Sequence, residues 1–192
     1  MNPETVFSEY LAIHSNLTKQ ETELICSYFS PQILSKEEPL LCAGNRFDKI
    51  IFVTKGILRI YIINAEGEEV TKNFLEKNSF FSDIDSLEQG TPSRLNVSSI
   101  TESCILSLSK SAAAELNSLF PAWEGMMKEG TIQAMNEMIR KQEFLRISDS
   151  TAQYRYFVEN FPSLAQNVPL KYIASYLRIT QSSLSRIRKQ GW

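Results

Sequence analysis

Val168-Pro169-Leu170-Lys171-Tyr172-Ile173-Ala174-Ser175-Tyr176-Leu177-Arg178-Ile179-Thr180-Gln181-Ser182-Ser183-Leu184-Ser185-Arg186-Ile187-Arg188-Lys189 reads as two short helices joined by a tight turn. Leu170, Ile173, Ala174 and Leu177 recur at helical spacing on one face of the first helix. Leu184 and Ile187 do the same on the second. Arg178-Ile179-Thr180 forms the turn, with Ile179 expected to be buried and Thr180 suited to cap the helix that follows. Ala174 is small where two helices would cross closely. The pattern is a helix-turn-helix.

The polar residues of this motif have a chemistry of their own. The second helix of such a motif offers its N-terminal side chains to base edges in the major groove. Those side chains are Gln181, Ser182 and, one turn later, Arg186. Glutamine pairs bidentately with adenine and arginine with guanine. Thr180, Ser183, Arg188 and Lys189 suit phosphate oxygens, and the helix N-terminus adds its own positive dipole end. Charge agrees with this reading. Residues 150–192 carry six basic side chains and one acid, a net +5, whereas residues 1–149 carry 14 basic and 21 acidic ones, a net −7. The overall charge of −2 hides this division. A basic end on an acidic body predicts two modules, the second facing a polyanion.

Upstream of the motif, Tyr154, Phe157, Val158 and Phe161 keep helical spacing until Pro162 stops it, and Ser148-Asp149-Ser150 supplies a polar break with an N-cap. Before that break, Pro121 suits the first turn of a helix that meets no further proline until well past Arg146. About 26 residues of helix span roughly 39 Å. Met127, Thr131, Ala134, Met138, Lys141 and Leu145 follow a weak heptad seam along it. A helix of this length packs either within its own chain or on a second copy. The small residues Gly130 and Ala134 near the seam favour the second copy, while Lys141 opposes strict coiled-coil packing near the C-terminal end. Lys110 to Leu119 is a shorter helix.

Residues 31–108 read as strands. Ile50–Thr54, Ile57–Ile63, Val70–Leu75, Asn96–Ile100 and Cys104–Leu108 are short β-branched and aromatic runs. Gly56 and the hairpin signal Asn64-Ala65-Glu66-Gly67-Glu68-Glu69 separate them. Such spacing predicts a β-sandwich or barrel. Residues 1–30 read as short helices, the second opened by a Thr18/Glu21 capping box ahead of Leu24, Ile25 and Tyr28.

Length and composition set the outer limits. The chain has 192 residues, 43% of them hydrophobic and 22% charged, which is ordinary for a protein with a real core. It contains no apolar run of about 18 residues, so no membrane span is expected. Met1-Asn2-Pro3-Glu4 lacks the basic and apolar regions of a signal peptide, so a cytoplasmic location is expected. Cys26, Cys42 and Cys104 match no zinc or iron–sulfur spacing and are expected to be buried as small hydrophobes. One histidine, His14, leaves no Ser/His/Asp or Cys/His constellation, and there is no phosphate loop, so no enzyme is expected.

The order of strands, long helix and C-terminal helix-turn-helix resembles the Crp/Fnr family of bacterial transcription regulators over nearly the whole chain. Three stretches carry the resemblance: Ile51–Tyr61 around Gly56, Asn78-Ser79-Phe80-Phe81-Ser82-Asp83-Ile84, and Ile173 to Ile187. It implies an α+β chain with three parts. Residues 1–120 would be a cyclic-nucleotide-binding-like jelly roll, 121–147 a dimerisation helix along Met127, Thr131, Ala134 and Met138, and 148–192 a helix-turn-helix domain. The sequence stops soon after the second helix of the motif, so the family's wing strands are not expected in full. The resemblance puts Gln181, Ser182 and Arg186 at base-reading positions and Thr180 and Lys189 at phosphate-contacting ones. Its implied partners are duplex DNA, a second copy of the chain, RNA polymerase and a small-molecule effector.

Departures from the family pattern concentrate in the ligand cassette. The family's Gly-Glu-Leu, whose Glu holds the ribose, is replaced by Ser82-Asp83-Ile84. The arginine that holds the cyclic phosphate is replaced by Ser93, and Arg94 comes one position late. A one-residue shift in a strand turns a side chain to the opposite face. Ser82, Asp83, Ser93 and Arg94 are therefore a candidate pocket in which a cyclic nucleotide, the small molecule the family implies, is not the expected ligand, and no cofactor is expected. The iron–sulfur and haem branches of the family need ligands that three scattered cysteines and a distant His14 do not supply. Arg178 stands where the family turn commonly has glycine, which predicts strain there. A competing reading makes the helical end a protein-interaction module with no specific DNA binding, resting on the missing wing.

Overall fold

The computed structural model describes residues 2–190. Two helices open it, α1 (Pro3–His14) and α2 (Lys19–Ser27). The reciprocal capping box of α2 is formed: the Thr18 side chain accepts from the Glu21 backbone N–H, and the Glu21 carboxylate accepts from the Thr18 N–H at 2.7 Å. Ile25 is buried, whereas Leu24, expected on the same apolar stripe, is 47% exposed.

Two four-stranded sheets follow. The first has the order β1 (Ser30–Leu34), β8 (Ser103–Ser109), β3 (Lys49–Lys55), β6 (Phe80–Phe81). The second has the order β2 (Pro39–Leu41), β7 (Asn96–Ser99), β4 (Leu58–Ile63), β5 (Glu69–Leu75). In the first sheet β8 pairs antiparallel with β1 and β3, with a register shift between Val53 and Lys55. Ile51, Val53 and Ile105 point into the interior with Leu41, Leu58 and Val97 of the second sheet. Phe52, Leu106 and Leu108 point the other way, into a cluster with Phe7, Ile25, Leu116 and Trp123. The middle of this sheet is thus buried on both faces. That is why Ile50–Val53 is a continuous apolar run rather than an alternating one.

Phe7 is fully buried, with ring centroids 4.5 Å from Phe29 and 4.8 Å from Phe52. Burial of each such side chain contributes about 1.5–3 kcal/mol. Gly56 closes the β3–β4 turn at φ 92°, and a Cβ there would collide with the Ser103 side chain and lie 2.6 Å from the Glu102 carbonyl oxygen. The β4–β5 turn is an Asx turn: Asn64 Oδ1 accepts from the backbone N–H groups of Glu66 and Glu68 at 3.1 and 2.8 Å, with Gly67 at φ 81°.

A short helix, α3 (Ile84–Gln89), lies among the strands, held between the Asp83 N-cap and Gly90 at φ 68°. The strand reading of residues 31–108 did not include it. Cys42 is exposed rather than buried, because it leaves β2 into the polar loop 42–48. Cys26 and Cys104 are half-buried. Burial, then Glu4 and Glu23, push the Cys26 thiol up to about 11.

Helix α4 (Lys110–Leu119) is capped by Ser109 and leads to α5 (Pro121–Ile147). Then come α6 (Ser150–Asn160), capped by Asp149, α7 (Pro162–Asn167), α8 (Leu170–Leu177) and α9 (Gln181–Lys189). The chain forms two compact units, residues 1–60 with 74–131, and residues 61–73 with 132–192. The second unit therefore includes the tip of the β4–β5 hairpin. No helix among the described residues is long and apolar enough to cross a membrane.

Candidate nucleic-acid interface and ligand cassette

The cassette lies in the first unit, where α3 follows β6. Ser82 Oγ donates to the Lys49 carbonyl at 3.0 Å. Asp83 caps α3 by accepting from the Ser86 N–H at 3.2 Å, and its other oxygen accepts from Ser93 Oγ at 2.5 Å. Ser93 is 4% exposed. Its N–H donates to the Asn45 carbonyl, and its own carbonyl accepts from the Gly44 N–H, both at 2.8 Å. Phe47 N–H donates to Ser86 Oγ at 2.6 Å. Loop 42–48 is therefore laced to the cassette from both sides. Arg94, the next residue, is exposed. The structure brings Asp83 and Ser93 together and leaves Arg94 exposed; both Ser93 and Arg94 lie in the loop before β7, so the alternation of faces expected for a strand does not apply to them.

The second site is the α8–α9 pair. Ile173, Ala174, Leu177, Leu184 and Ile187 are buried, and Leu170 and Ile179 are half-buried. Ile179 is thus less buried than its position in the turn predicts. Arg178 takes the left-handed conformation, φ 57° and ψ 35°, and its N–H reaches the Ala174 and Ser175 carbonyls. An L-residue there is strained relative to glycine, as the sequence predicts for Arg178. Thr180 caps α9, accepting from the Ser183 N–H at 3.1 Å, and its hydroxyl donates to Ser183 Oγ at 2.8 Å. Arg186 reaches back toward Ser183 Oγ at 3.5 Å.

Buried Leu184 and Ile187 fix which way α9 faces. At 3.6 residues per turn, the side opposite them carries Ser182, Ser185, Arg186 and Lys189, spaced i, i+3, i+4, i+7. Ser182, Arg186 and Lys189 are exposed and Ser185 is half-exposed. Gln181 and Arg188, also exposed, lie toward the flanks of this face. Ser185 was missed in the sequence reading, although the same spacing rule would have found it. From residue 160 to the end the sequence holds five basic residues and no acid. The outward face of α9 is a shallow cationic ridge of hydrogen-bonding groups, the combination that contacts phosphates and base edges.

The long helix supplies a third surface. Trp123 and Met126 are buried and Met127 is half-buried against the core of the first unit. Met127, expected on the partner-facing seam, is thus committed to packing within its own chain. Residues 128–140 are exposed throughout, Thr131, Ala134 and Met138 among them. Ile132, Met135, Met138 and Ile139 are each more than half exposed and add a larger apolar stripe beside the expected one. Lys141 leaves the seam and packs within the second unit.

The sequence profile of the cyclic nucleotide-binding domain matches residues 31–118. Those residues are similar in sequence to a cyclic nucleotide-binding domain. No curated protein sequence matches the chain. Solved structures extend the likeness in fold beyond this domain. FixK2 from Bradyrhizobium japonicum is 16% identical, with a TM-score of 0.74 over 84% of this chain and 83% of that one. The c-di-GMP-responsive global regulator CLP of Xanthomonas campestris is 13% identical, with a TM-score of 0.69 over 90% of this chain and 91% of that one. A CooA mutant from Carboxydothermus hydrogenoformans is 17% identical, with a TM-score of 0.67 over 88% and 78%. The fold of the chain is similar to the folds of these proteins.

The residues expected from the sequence to line the ligand cassette do not fit a cyclic nucleotide. A cyclic phosphate needs a cation aimed at it, and the inward position holds the Ser93 hydroxyl, already donating to Asp83. The Asp83 carboxylate, expected from the sequence to stand where the ribose would bind, is occupied by Ser86 and Ser93. The cassette satisfies itself.

Proposed function

We propose that the protein is a sequence-specific DNA-binding transcription regulator that acts as a homodimer in the cytoplasm and does not respond to cyclic AMP. The observation that carries this reading is the outward face of α9: Ser182, Ser185, Arg186 and Lys189 on one side of a Thr180-capped helix, in a segment free of acids. Gln181, Ser182 and Arg186 read bases. Thr180, Arg188 and Lys189 hold phosphates on either side. The division of labour is 1–120 for sensing, 121–147 for dimerisation and 148–192 for DNA. RNA polymerase is the partner through which a DNA-bound dimer would act, and a small molecule other than a cyclic nucleotide is the effector class open to the sensor. Nothing in the arrangement calls for catalysis.

Fluorescence anisotropy on duplex DNA tests the assignment. Affinity should fall steeply as salt rises. Arg186→Ala should cost about 1–3 kcal/mol on a preferred site and relax preference at one base pair, while Lys189→Ala should weaken all sequences alike. Equal losses on every sequence from both variants would contradict the roles given to them. The sensor is tested by melting. A ligand present at about 100 times its Kd stabilises by about 2.7 kcal/mol. Cyclic AMP and cyclic GMP should leave the melting temperature unchanged, and a rise of several degrees would overturn the self-satisfied reading of the cassette.

A further inference from the structure

Only Ser148 and Asp149 separate α5 from α6. Asp149 caps α6 by accepting from the Thr151 and Ala152 N–H groups at 2.9 and 2.8 Å. One side chain reaches back across this joint. Gln153, at the end of the first turn of α6, donates from Nε2 to the Leu145 carbonyl at 2.8 Å and to the Ser148 carbonyl at 3.0 Å. Both carbonyls lie where α5 runs out of donors of its own. Gln153 is 7% exposed, and its Oε1 is buried without a hydrogen-bond partner. Further along α6, Tyr156 lies against Phe144 of α5, with ring centroids 4.6 Å apart.

A buried amide whose carbonyl is unpaired is a poor source of stability, because nothing offsets the desolvation of that oxygen. A methionine would fill the same length without the orphan acceptor. It could not donate to two carbonyls of another helix. What Gln153 supplies is direction: two bonds from one planar amide fix how α6 leaves the end of α5. That direction is passed on. The buried Phe157 ring of α6 lies 5.5 Å from the Tyr176 ring of α8, and the turn at Arg178–Thr180 carries α8 into α9. The joint and these helices all belong to the second compact unit.

We propose that Gln153 is a positioning residue for DNA recognition: it clasps α6 to the end of α5 and so sets the half-site spacing that a dimer accepts. Gln153 itself touches no DNA and acts through α6. The positioning role rests on the DNA-binding homodimer proposed above. The clasp, the pair of bonds to Leu145 and Ser148, does not.

The test uses the full chain as wild type, Gln153→Met and Gln153→Lys. Methionine keeps the length and removes the donors. The lysine ammonium can donate to the same two carbonyls and suits a helix C-terminus. Each protein is titrated against a single half-site, and against inverted repeats at the preferred spacing and with one base pair inserted or removed. Gln153→Met should keep the half-site affinity of wild type and lose its preference between spacings, and Gln153→Lys should restore that preference. A Gln153→Met protein that discriminates spacings as wild type does, or that loses half-site and repeat binding in equal measure, overturns the proposal. Loss of the preference in both variants assigns it to packing at this position rather than to the donors, and overturns the proposal as well. Wild type offers a test that needs no variant to fold: by NMR of glutamine-labelled protein, the Gln153 side-chain amide protons should exchange with water far more slowly than those of exposed glutamines. Exchange at the exposed rate shows that no clasp is formed. If wild type prefers no sequence, the DNA-binding reading fails and takes the positioning role with it, and slow amide exchange shows that the clasp stands regardless.

Discussion

Lys141 shows how one residue's meaning depends on what faces it. In the sequence it falls on a heptad seam, where a lysine only weakens a coiled coil. In the structure it turns onto the Tyr176 ring and the Lys72 carbonyl, and burial takes its ammonium down to about 7. The groups around it are Lys72 on the hairpin, Arg178 on the turn and Tyr176 on α8. Burial, then Tyr156, raise the Tyr176 phenol above its usual range. The sign of the pH dependence follows from linkage. Lys141 has its pKa lowered by folding, so between about 7 and the ordinary lysine value of 10.5 the unfolded chain binds more protons than the folded one. Stability should therefore rise with pH from about 7 upward, and the penalty should be complete below it. Lys141→Met should flatten that rise in urea unfolding followed at several pH values; a variant whose stability climbs as steeply as wild type would show that the group is not held in this way. Ser93 makes the complementary case. Its single hydroxyl donates to the Asp83 carboxylate, and a position expected from the sequence to face a ligand becomes part of the scaffold.

At the scale of elements, those with strong local signals could be read directly. Lys110 to Leu119 and the Pro121 start of the long helix lie where the sequence places them, and Thr180 and Asp149 cap the helices they precede. The elements that escaped are short and carry weak propensity. β1 contains Ser30, Pro31 and Gln32, and β2 starts on Pro39; both are set by pairing with β8 and β7 rather than by their own residues. Helix α3 has one turn and a half between its Asp83 cap and Gly90, and those two residues were the available signal. The seam of α5 was legible in period but not in phase. Where Met127 packs inward and residues 128–140 face solvent, the large apolar side chains are Ile132, Met135, Met138 and Ile139. A helix that leaves such a stripe in water lacks a partner for it. The expected partner is the same helix of a second copy. Met135→Glu with Ile132→Glu should give a monomer in sedimentation equilibrium with its melting cooperativity retained, since both positions are exposed within the chain; an undisturbed dimer would place the interface elsewhere.

At the scale of the whole molecule, the division of charge was legible in the sequence and its direction was not. An acidic body and a basic end follow from counting. That the basic end presents Ser182, Ser185, Arg186 and Lys189 on a single face follows only once Leu184 and Ile187 are seen to be buried. A two-fold dimer along α5 would carry two such faces, each suited to a major groove about one helical turn, roughly 34 Å, from the other. Selection from a pool of random duplexes, with wild type at physiological salt, is the most direct test. The account predicts enrichment of an inverted repeat with half-sites about 10 base pairs apart, centre to centre. Recovery of no motif, or binding that disappears at physiological salt, would contradict it.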